Sequence, residues 1–450
     1  MVDLWNPAME SLSGEELYRL QFAKLSAMIE RLNARSPYYR DKFRDAGFDP
    51  AKFRSLDDYR HVPFFDKYEE RESQARSAVE LGHPLGMHIT CDIREVNRMS
   101  ASSGTTGTPS FQGHTRNDRR IMFENIARQN RRMGSMPGDK VLFAGVMSMW
   151  VAGIPSIDGL LEYGANVIPI GALVGSRKVA EMAQLTNLDV IVCTPSFARH
   201  MLKITRDEGD IDLSKVGITK IAVYGEPGGS VPEIITELSE GFGGAQVYDL
   251  AGGTSCLNPI FVSCPEHAGL HFIAPDHAYV EIIDPDTGKV LPFEDGAIGE
   301  FVYTGMDREC GPLIRFRDGD RMRLITRPCK CGMPGWRVRI EGRVDDMLLV
   351  KGVNVFPSAV RDVALGMNEV LTGNVRVVKT SDSPVIEPPL VVKVECVGSP
   401  DPHKRQQIKD QLEADYRRRL RISTDVRLFD EGTMPIEYGR TGKIKIIEME

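Results

Sequence analysis

Hydrophobic and polar residues follow different patterns in successive parts of the chain. Over 14–34, apolar residues recur at three- and four-residue spacing, which predicts a helix. Farther on, short β-rich runs alternate with helical stretches, a pattern typical of βαβ units with a largely parallel sheet. The predicted strands of this middle part are 140–146, 165–171, 188–194 and 218–225, and its predicted helices include 176–186 and 231–242.

From about residue 270 the pattern becomes more purely β, with a predicted hairpin over 277–292 around Asp-Thr-Gly. The periodicity then restarts, which predicts a small α+β domain at the end of the chain. Its predicted elements are a helix (358–367), two strands (373–379 and 389–397), a charged helix (402–420) that ends in an arginine cluster (417–421), and a strand (424–429).

These patterns predict an α/β fold with two domains. The large N-terminal domain (1–342) has parallel-sheet α/β subdomains and a β-rich part, and the small C-terminal domain (343–450) is α+β. The arginine cluster at 417–421 is interpreted as a solvated helix end, where cations are favourable.

Composition narrows the class of protein. The 450 residues include 56 Lys+Arg and 63 Asp+Glu, for a formal charge of −7, so a nucleic-acid partner is not expected. We predict no membrane span, because the longest uncharged run lies between Lys140 and Asp158 and is shorter than the ~20 residues that a helix needs. The N-terminus lacks the pattern of a signal peptide, and eight cysteines are too few for a disulfide scaffold, so we expect a cytoplasmic protein.

One local motif is rich in groups that bind anions. The run MSASSGTTGTPS (99–110) contains two glycines, Gly104 and Gly107, which permit close backbone approach. Amide N–H groups and hydroxyls of such a run can wrap a phosphate, although most Ser/Thr/Gly-rich segments are only loops. It is not a Walker A loop, because no Gly-Lys-Ser/Thr follows at the required spacing.

A second motif has the spacing of metal ligands. The spacing is C-x2-H-x3-H followed by C-x-C, and the residues are Cys264, His267, His271, Cys329 and Cys331. Four such ligands suit a tetrahedral structural zinc. The alternative from spacing alone is a set of reduced thiols and ordinary histidines.

The motifs together resemble the phenylacetate–coenzyme A ligase branch of the adenylate-forming enzymes. The similar segments occur in the family's order along nearly the whole chain: SSGTTG (102–107), YGEPGG (224–229), RFRDGD (315–320), GRVDDMLLVKGVNVFP (342–357) and GRTGKIK (439–445). The resemblance implies an ATP-dependent ligase that activates a phenylacetate- or benzoate-like acid as an acyl-adenylate. It then implies transfer of the acyl group to coenzyme A (CoA), with release of AMP and pyrophosphate.

The resemblance also implies roles for individual residues. Lys443 is the expected catalytic lysine, with Lys445 as a secondary candidate because the motif is one residue shorter than usual. Asp345 lies at the expected hinge of a mobile C-terminal domain, and Lys351 and Gly352 are expected to contact CoA. The expected nucleotide-binding residues are Ser102, Ser103, Gly104, Thr105, Thr106, Gly107, Gly225, Glu226, Pro227, Tyr248, Asp249, Asp320 and Arg343.

Family position also points to an acyl pocket and selects among the zinc ligands. The expected pocket residues are Met149, Trp150, Phe197, Tyr224 and Ala251, although a core role for Trp150 fits its sequence equally well. The family's Cys-x6-His spacing favours a zinc site made of Cys264, His271, Cys329 and Cys331, with His267 in reserve.

The chain departs from the family at three positions near the phosphates, the first of which is Ala251 in place of a serine or threonine. Gly252 replaces a glutamate that helps to hold Mg²⁺, and Thr108 replaces a lysine found in many relatives. The expected ligands are therefore ATP, Mg²⁺, CoA and a structural zinc, but two alternatives stay open: a carrier-protein thiol or an amine as acceptor, and a catalytically impaired nucleotide-binding relative. A homodimer is the default oligomeric state.

Overall fold

The computed structural model describes residues 3–101, 110–226, 228–252, 259–344, 348–350, 353–381, 383, 385–435 and 446–450. The N-terminal part is helical, as the sequence predicts. Its elements are α1 (Pro7–Glu10), α2 (Gly14–Arg35), α3 (Pro37–Asp45), β1 (Phe65–Asp66) and α4 (Lys67–Glu80), with 3₁₀ turns at Pro50–Lys52 and Leu56–His61.

The helix predicted over 14–34 is confirmed as α2, because its apolar residues meet on one buried face. Leu25, Met28, Ile29 and Leu32 have at most 1% of their surface exposed. They pack in an aromatic-rich cluster that also takes in β1. The helix ends at Ser36, whose hydroxyl accepts a hydrogen bond from the Tyr39 amide at the start of α3.

The middle of the chain alternates strands and helices. Its elements are β2 (Arg98–Ala101), β3 (Phe111–His114), α5 (Arg116–Arg132), β4 (Lys140–Phe143), α6 (Ile154–Tyr163), β5 (Asn166–Pro169), α7 (Ser176–Thr186), β6 (Val190–Cys193), α8 (Pro195–Glu208), β7 (Lys220–Tyr224), α9 (Pro232–Gly241) and β8 (Gln246–Ala251), with 3₁₀ turns at Ile93–Glu95, Ala172–Val174 and Leu213–Lys215.

The predicted parallel sheet is confirmed. Strands β5, β4, β6, β7 and β8 pair side by side in parallel. Both faces of the strands are covered: one packs against a cluster with α7, α8 and α9, and the other against a cluster with α5 and α6. Burial on both faces explains the nearly continuous apolar sequence of these strands. Their carboxyl ends lie at one edge of the sheet.

The β-rich part continues the same sheet. Its strands are β9 (Phe261–Val262), β10 (Leu270–Phe272), β11 (Ala278–Ile283), β12 (Ile298–Gly305), β13 (Phe316–Ile325) and β14 (Arg337–Arg343). Strand β9 pairs with β8 in antiparallel, which makes a single 12-stranded sheet with the order β11-β12-β13-β14-β10-β9-β8-β7-β6-β4-β5 and β1 on β13. The predicted subdomains are therefore joined edge to edge.

The hairpin predicted over 277–292 forms only in part. Its first arm is β11, but its second arm is reduced to a single bridge between Ile283 and Val290. The Asp284 carboxylate accepts hydrogen bonds from the amide and hydroxyl of Thr287, which closes the predicted turn. Strand β12 then pairs along the whole of β11, so it takes the position that the hairpin's second arm would occupy.

The C-terminal part has its own core. Its elements are β15 (Leu348–Val350), β16 (Val353–Val355), α10 (Pro357–Leu365), β17 (Leu371–Lys379), β18 (Val385–Ile386), β19 (Leu390–Cys396), α11 (Pro402–Leu420), β20 (Thr424–Phe429) and β21 (Ile447–Met449). These match the predicted helices and strands closely. Side chains from β15 through β20 form one buried cluster. In the described part of the chain, no helix is long and apolar enough to cross a membrane.

Candidate active site and metal centre

The carboxyl edge of the parallel strands brings several predicted site residues together. Parallel α/β sheets bind ligands in the crevice outside this edge. Tyr224 ends β7, Ala251 ends β8, and Met149 and Trp150 follow β4. The backbone amide of Ala101, which immediately precedes the SSGTTG run, donates a hydrogen bond to the Met149 carbonyl at 2.8 Å. The segment around Trp150 is thereby tied to the start of the predicted phosphate loop.

Trp150 and Tyr224 form a flat aromatic wall at this edge. Their rings are stacked, with centroids 5.7 Å apart and an interplanar angle of 26°. Phe143 stacks on Tyr224 with a centroid distance of 6.4 Å. Two glycines make room for the wall: a Cβ on Gly145 would lie 2.0 Å from the Tyr224 hydroxyl, and one on Gly225 would lie 3.3 Å from the Trp150 ring. Gly225 also has a φ of +89°, which favours glycine.

The other three predicted pocket residues do not join this stack. Phe197 packs against the cluster on the opposite face of the sheet, so it is not part of the same wall. Ala251 packs with the β-rich part, against the cluster that contains Phe261. The Met149 side chain is 51% exposed. These three residues were assigned to the pocket only because their positions match the family's pocket segments. Such a match does not tell which way a side chain points.

The predicted adenine-side loop contains a buried carboxylate. Glu226 Oε1 accepts a hydrogen bond from the Ser196 amide at 2.7 Å, at the start of α8, where helix N-termini favour negative charge. Its Oε2 is buried and has no hydrogen-bond partner within the described ranges. The buried guanidinium of Arg361, on α10, interacts electrostatically with Glu226. The C-terminal part therefore contributes a cation that acts electrostatically on this loop.

Asp249 is turned into the body of the protein. The Ser230 hydroxyl donates a 2.5 Å hydrogen bond to its carboxylate, and the Asp249 amide donates to Ser263 Oγ at 2.8 Å. Burial raises the pKa of Asp249 to about 7. Neighbouring Tyr248 is also buried, and burial raises its pKa to about 12. Gly252, where the family has glutamate, is exposed and offers no carboxylate.

Asp320 and Arg343, both predicted to bind the nucleotide, form an ion pair. They are direct partners across β13 and β14, and Arg343 Nη1 lies 2.7 Å from Asp320 Oδ1. Arg343 Nη2 also donates to the Asp318 carbonyl at 2.9 Å, which fixes the guanidinium from a second side. Lys67, at the start of α4, donates to the same carbonyl at 2.6 Å. The two partners are partly exposed, so the pair is accessible to a ligand.

Several predicted residues lie outside the described residues. They include the catalytic lysine candidates, the phosphate-loop residues, the hinge aspartate and the CoA contacts. These residues are Ser102, Ser103, Gly104, Thr105, Thr106, Gly107, Thr108, Pro227, Asp345, Lys351, Gly352, Lys443 and Lys445.

The four favoured metal ligands converge at one point. The ligand atoms of Cys264, His271, Cys329 and Cys331 all lie within 4.8 Å of one another. Cys264 Sγ and Cys329 Sγ are 3.7 Å apart, and Cys331 Sγ and His271 Nε2 are 3.4 Å apart. Tetrahedral zinc with Zn–S bonds of about 2.3 Å has S–S edges of about 3.8 Å, so the spacing fits zinc.

His267, the reserve ligand, is not in this group. Its ring approaches the Gln246 side chain at 3.3 Å instead. His271 is buried, and desolvation lowers its pKa to about 3, so its ring is neutral as a metal ligand must be. Two arginines, Arg132 and Arg337, lie close enough to interact electrostatically with the cysteines of the group.

The sequence did not single out Arg361 or Lys67. Arg361 is a buried arginine on a helix whose neighbouring positions, Val360 and Val363, are apolar. The sequence signal that could have identified Arg361 is a charged residue next to the apolar positions of a predicted helix. Lys67 donates its hydrogen bond to a backbone carbonyl, and the residues around it in sequence give no comparable signal.

The chain is similar to known proteins over most of its length. A phenylacetate–CoA ligase of Thermus thermophilus is 32% identical over 370 residues, which cover 82% of this chain and 79% of that protein. A phenylacetate–CoA ligase of Escherichia coli is 30% identical over 441 residues, which cover 97% and 96% of the two chains. No protein-family model matches the chain.

Solved structures of a 2-hydroxyisobutyryl-CoA ligase share the fold. In the postadenylation state, in complex with its acyl-AMP, that ligase has a TM-score of 0.87 at 26% identity, covering 99% of this chain and 92% of that one. In the thioesterification state, in complex with acyl-AMP and CoA, it has a TM-score of 0.71 at 27% identity and the same coverage. The arrangement seen here is thus closer to the postadenylation state.

Proposed function

Because the chain belongs to the phenylacetate–CoA ligase family and is an AMP-forming acid–CoA ligase, we propose that its acid is a small aromatic carboxylate of the phenylacetate or benzoate kind. The observation that carries this proposal is the stack of Trp150 on Tyr224 at the carboxyl edge of the sheet. Aromatic rings in offset or edge-to-face contact gain about 0.5–1.5 kcal/mol beyond burial. The named relatives that act on phenylacetate support the same class of acid.

The proposed reaction has two steps. In the first, a carboxylate oxygen bonds to the α-phosphorus of ATP, the bond to the bridging oxygen breaks, and pyrophosphate leaves. In the second, the deprotonated thiol of CoA bonds to the acyl carbon, and AMP leaves. The first step brings negative groups together, so it needs cations and oriented donors. Lys443 and the SSGTTG run are the residues we assign to that task.

We assign the ribose of the nucleotide to Asp320. A carboxylate has two acceptor oxygens, which suits a pair of neighbouring hydroxyls. Arg343 holds Asp320 by an ion pair at 2.7 Å and is itself held by the Asp318 carbonyl, so the carboxylate is oriented before the nucleotide binds. Asp249 does not fit the role of the missing Mg²⁺ ligand, because it is buried against Ser230. We therefore assign no protein ligand to Mg²⁺ and derive no step through it.

We further propose that residues 343–450 form a small domain that rotates between the two steps. The two states of the related ligase give TM-scores of 0.87 and 0.71 against this structure at the same coverage, which supports a change in arrangement between steps. The separate core of the C-terminal part supports motion as a unit. Asp345 is the proposed hinge.

We propose that Cys264, His271, Cys329 and Cys331 hold a structural zinc. Four protein ligands complete a tetrahedron and leave no open position for a substrate. The ligands come from two stretches separated by three strands, β11 to β13, so the metal would cross-link the β-rich part. In this role the zinc contributes folding energy and takes no part in the reaction.

An acid panel tests the proposed substrate. Purified protein with ATP, Mg²⁺ and CoA is given phenylacetate, benzoate, 2-hydroxyisobutyrate and straight-chain acids, and AMP and thioester are both measured. We expect the highest kcat/KM with an aromatic acid, and a rise of about tenfold in its KM in the Trp150→Leu variant. The Trp5→Leu variant, altered at an exposed tryptophan, is the control. Turnover of aliphatic acids alone would refute the aromatic assignment.

A small branched hydroxy acid is the second candidate. It is favoured by the TM-score of 0.87 to the 2-hydroxyisobutyryl-CoA ligase. The same panel separates the two, because only this candidate predicts that 2-hydroxyisobutyrate exceeds phenylacetate. Replacing CoA with a carrier-protein thiol or an amine in a parallel series tests the acceptor, and AMP release without any thioester would contradict CoA as the acceptor.

A further inference from the structure

Two thiols that the proposed function does not use lie in contact beside the hairpin of β2 and β3. Cys91 precedes β2 at a partly exposed position, whereas Cys310 follows β12 and is fully buried. The Cys310 thiol donates a hydrogen bond to Cys91 Sγ. Neither residue belongs to the Cys/His group of the proposed zinc. Two thiols in such contact can be joined by oxidation, although they are far apart in sequence.

Cys310 is fixed in place by the residues around the start of α5. The Asp118 carboxylate accepts hydrogen bonds from the amides of Glu309 and Cys310, at 2.8 and 3.1 Å. Glu309 also accepts a hydrogen bond from the Thr115 hydroxyl at 2.6 Å. The Cys310 thiol packs directly on β3, because a Cβ on Gly113 would lie 2.6 Å from Cys310 Sγ. The buried sulfur therefore has little freedom to move.

The segment that carries Cys91 leads into β2. Just before it, the Thr90 hydroxyl donates a hydrogen bond to the Glu309 carbonyl at 2.6 Å, which holds the two segments side by side. After Cys91 the chain passes through the 3₁₀ turn Ile93–Glu95 into β2, and Ala101 at the end of β2 immediately precedes the SSGTTG run. A displacement of Cys91 would therefore be passed to the strand that adjoins the run we assign to the phosphates.

The two thiols differ in the way that a reactive pair requires. The hydrogen bond from Cys310 lowers the pKa of Cys91, against the opposing effects of burial and of the nearby carboxylates of Asp118 and Glu95. The same hydrogen bond, together with burial, raises the pKa of Cys310. Oxidation-sensitive cysteines are typically accessible, have a lowered pKa and lie next to a second cysteine. Cys91 is thus suited to react first, and Cys310 to react with its product.

We propose that Cys91 and Cys310 form a reversible disulfide with a peroxide as the oxidant, and that this bond slows formation of the acyl-adenylate. In the first step the Cys91 thiolate bonds to one oxygen of hydrogen peroxide, the O–O bond breaks, and hydroxide leaves. In the second step the Cys310 sulfur bonds to the Cys91 sulfur, the S–O bond breaks, and water leaves with the Cys310 proton. The two sulfurs give up two electrons, and the hydroxide takes up the proton that Cys91 had lost. A thiol reductant reverses the change by exchange.

The effect on the reaction follows from the difference in freedom between the two cysteines. A disulfide brings its sulfurs to about 2.05 Å, much closer than two hydrogen-bonded thiols. Because Asp118 and Gly113 fix Cys310, most of this movement falls on Cys91 and on the turn that leads to β2. A misplacement of about 1 Å can reduce a catalysed rate by about 100-fold. The effect on the rate rests on the proposed function, whereas formation of the disulfide does not.

Peptide mapping tests the disulfide without any measurement of activity. Purified protein with its metal is treated with hydrogen peroxide, free thiols are blocked with iodoacetamide, and a tryptic digest is analysed by mass spectrometry. Trypsin releases Cys91 in the peptide 77–94 and Cys310 in the peptide 309–315, each with one cysteine. We expect these two peptides to be linked after peroxide and separate after dithiothreitol. Blocked, unlinked Cys91 and Cys310 in the treated protein would overturn the proposal.

Two variants test the order of the steps and the effect on the rate. In Cys310→Ala, Cys91 is expected to stop at the sulfenic acid, which dimedone labels, and an unlabelled Cys91 would contradict its assignment as the residue that reacts first. In the unaltered protein, oxidation is expected to slow pyrophosphate release at least about threefold, and dithiothreitol to restore it. Cys91→Ser is expected to keep its rate in peroxide.

The matched control alters a cysteine outside the pair. Cys396→Ala, in the core of the C-terminal part, is expected to lose its rate in peroxide as the unaltered protein does. An equal loss of rate in Cys91→Ser would overturn the effect on catalysis. If no acid of the panel gives pyrophosphate release in the reduced protein, the proposed function fails, and the peptide map still decides whether the disulfide forms.

Discussion

Two places in the molecule bring together residues that are far apart in sequence, and they are built differently. At the Cys/His group, four ligand atoms lie within 4.8 Å of one another, carried by strands and turns of one sheet. At the contact between α8 and the C-terminal part, Arg199 Nη1 donates to the Thr372 carbonyl at 3.1 Å, and Lys203 pairs with Glu431. The first group is fixed by backbone, and the second depends on long, partly exposed side chains.

This difference bears on the proposed rotation of residues 343–450. Exposed ion pairs contribute only about 0–1 kcal/mol to stability. Breaking the polar contact between α8 and the C-terminal part therefore costs little free energy. Its apolar component is small: Leu365, the last residue of α10, joins the cluster of the body formed with α7, α8 and α9. A weak, mostly polar contact is what a domain that alternates between two arrangements requires.

The largest expected effect comes from the fixed group. His271→Gln removes one ligand of the proposed zinc, and we expect loss of about one equivalent of zinc and roughly 3 kcal/mol or more of stability, because metal binding and folding are coupled. His267→Gln, four residues earlier and outside the group, is the matched control and keeps both. Metal analysis and thermal unfolding measure the pair. Equal behaviour of the two variants, or zinc-free protein in both, would contradict the assignment.

The next effect concerns the apolar part of the contact. Leu365→Ala and Leu390→Ala both remove a fully buried leucine, at the contact and inside the C-terminal core respectively. Each is expected to cost about 2–4 kcal/mol. Only Leu365→Ala is expected to slow pyrophosphate release, by about threefold to tenfold, while thioester formation from preformed adenylate is unchanged. If the rate of pyrophosphate release relative to thioester formation is the same in both variants, Leu365 has no special role in the contact.

A pH effect is expected at the same contact. Burial raises the pKa of Asp362, on α10, to about 6, with Arg361 opposing and Glu233 of the body adding to the rise. An acid whose pKa is raised by folding holds its proton in the folded state, so stability falls as pH rises from about 4 to about 6 and is level above that.

The Asp362→Asn variant measures this effect. This variant has no carboxyl group to titrate at position 362, so its stability relative to the unaltered protein should increase by about 2–3 kcal/mol between pH 4 and pH 7. Chemical unfolding at several pH values measures the difference, and Asp410→Asn, at an exposed position on α11, is the control. A difference between the Asp362 variant and the unaltered protein that is constant with pH would contradict the predicted titration.

Sequence patterns predicted the local elements well and their long-range pairing poorly. The helix over 402–420 and the strand over 424–429 match α11 and β20 in both bounds, because periodicity and composition are local properties. The union of the β-rich strands with the parallel sheet was not predictable. It depends on the pairing of Leu250 with Val262, across a connection whose periodicity carries no information on partners.

At the candidate site too, the residue types were predictable from the sequence, and their arrangement in space was not. Spacing gave five candidate ligands, and the family resemblance favoured Cys264, His271, Cys329 and Cys331, which the fold does bring together. Side-chain direction was beyond the sequence: Phe197 and Trp150 follow neighbouring parallel strands but pack on opposite faces of the sheet. Arg361 was missed because its partner, Glu226, is more than a hundred residues away.

The smallest expected effect is the most direct test of the contact between α8 and the C-terminal part. Lys203→Glu places two acids opposite each other, and we expect pyrophosphate release to slow by about twofold to fivefold, in line with the low energy of exposed pairs. The double variant Lys203→Glu/Glu431→Lys restores the attraction and should recover most of the rate. Its recovery is limited because Glu431 also accepts a hydrogen bond from the Gly398 amide at 2.7 Å.

The control is a partly exposed arginine that forms ion pairs with acids of the body. Arg177 pairs with Glu181, Glu208 and Asp210, so Arg177→Glu should leave the ratio of the two half-reactions unchanged. If Lys203→Glu slows thioester formation and not pyrophosphate release, the ion pair belongs to the arrangement proposed for the thioester step. If the double variant is no faster than the single one, the ion pair does not hold the C-terminal part in place. Its position would then rest on the other contacts with the body, among them those of Leu365, Arg199 and Arg361.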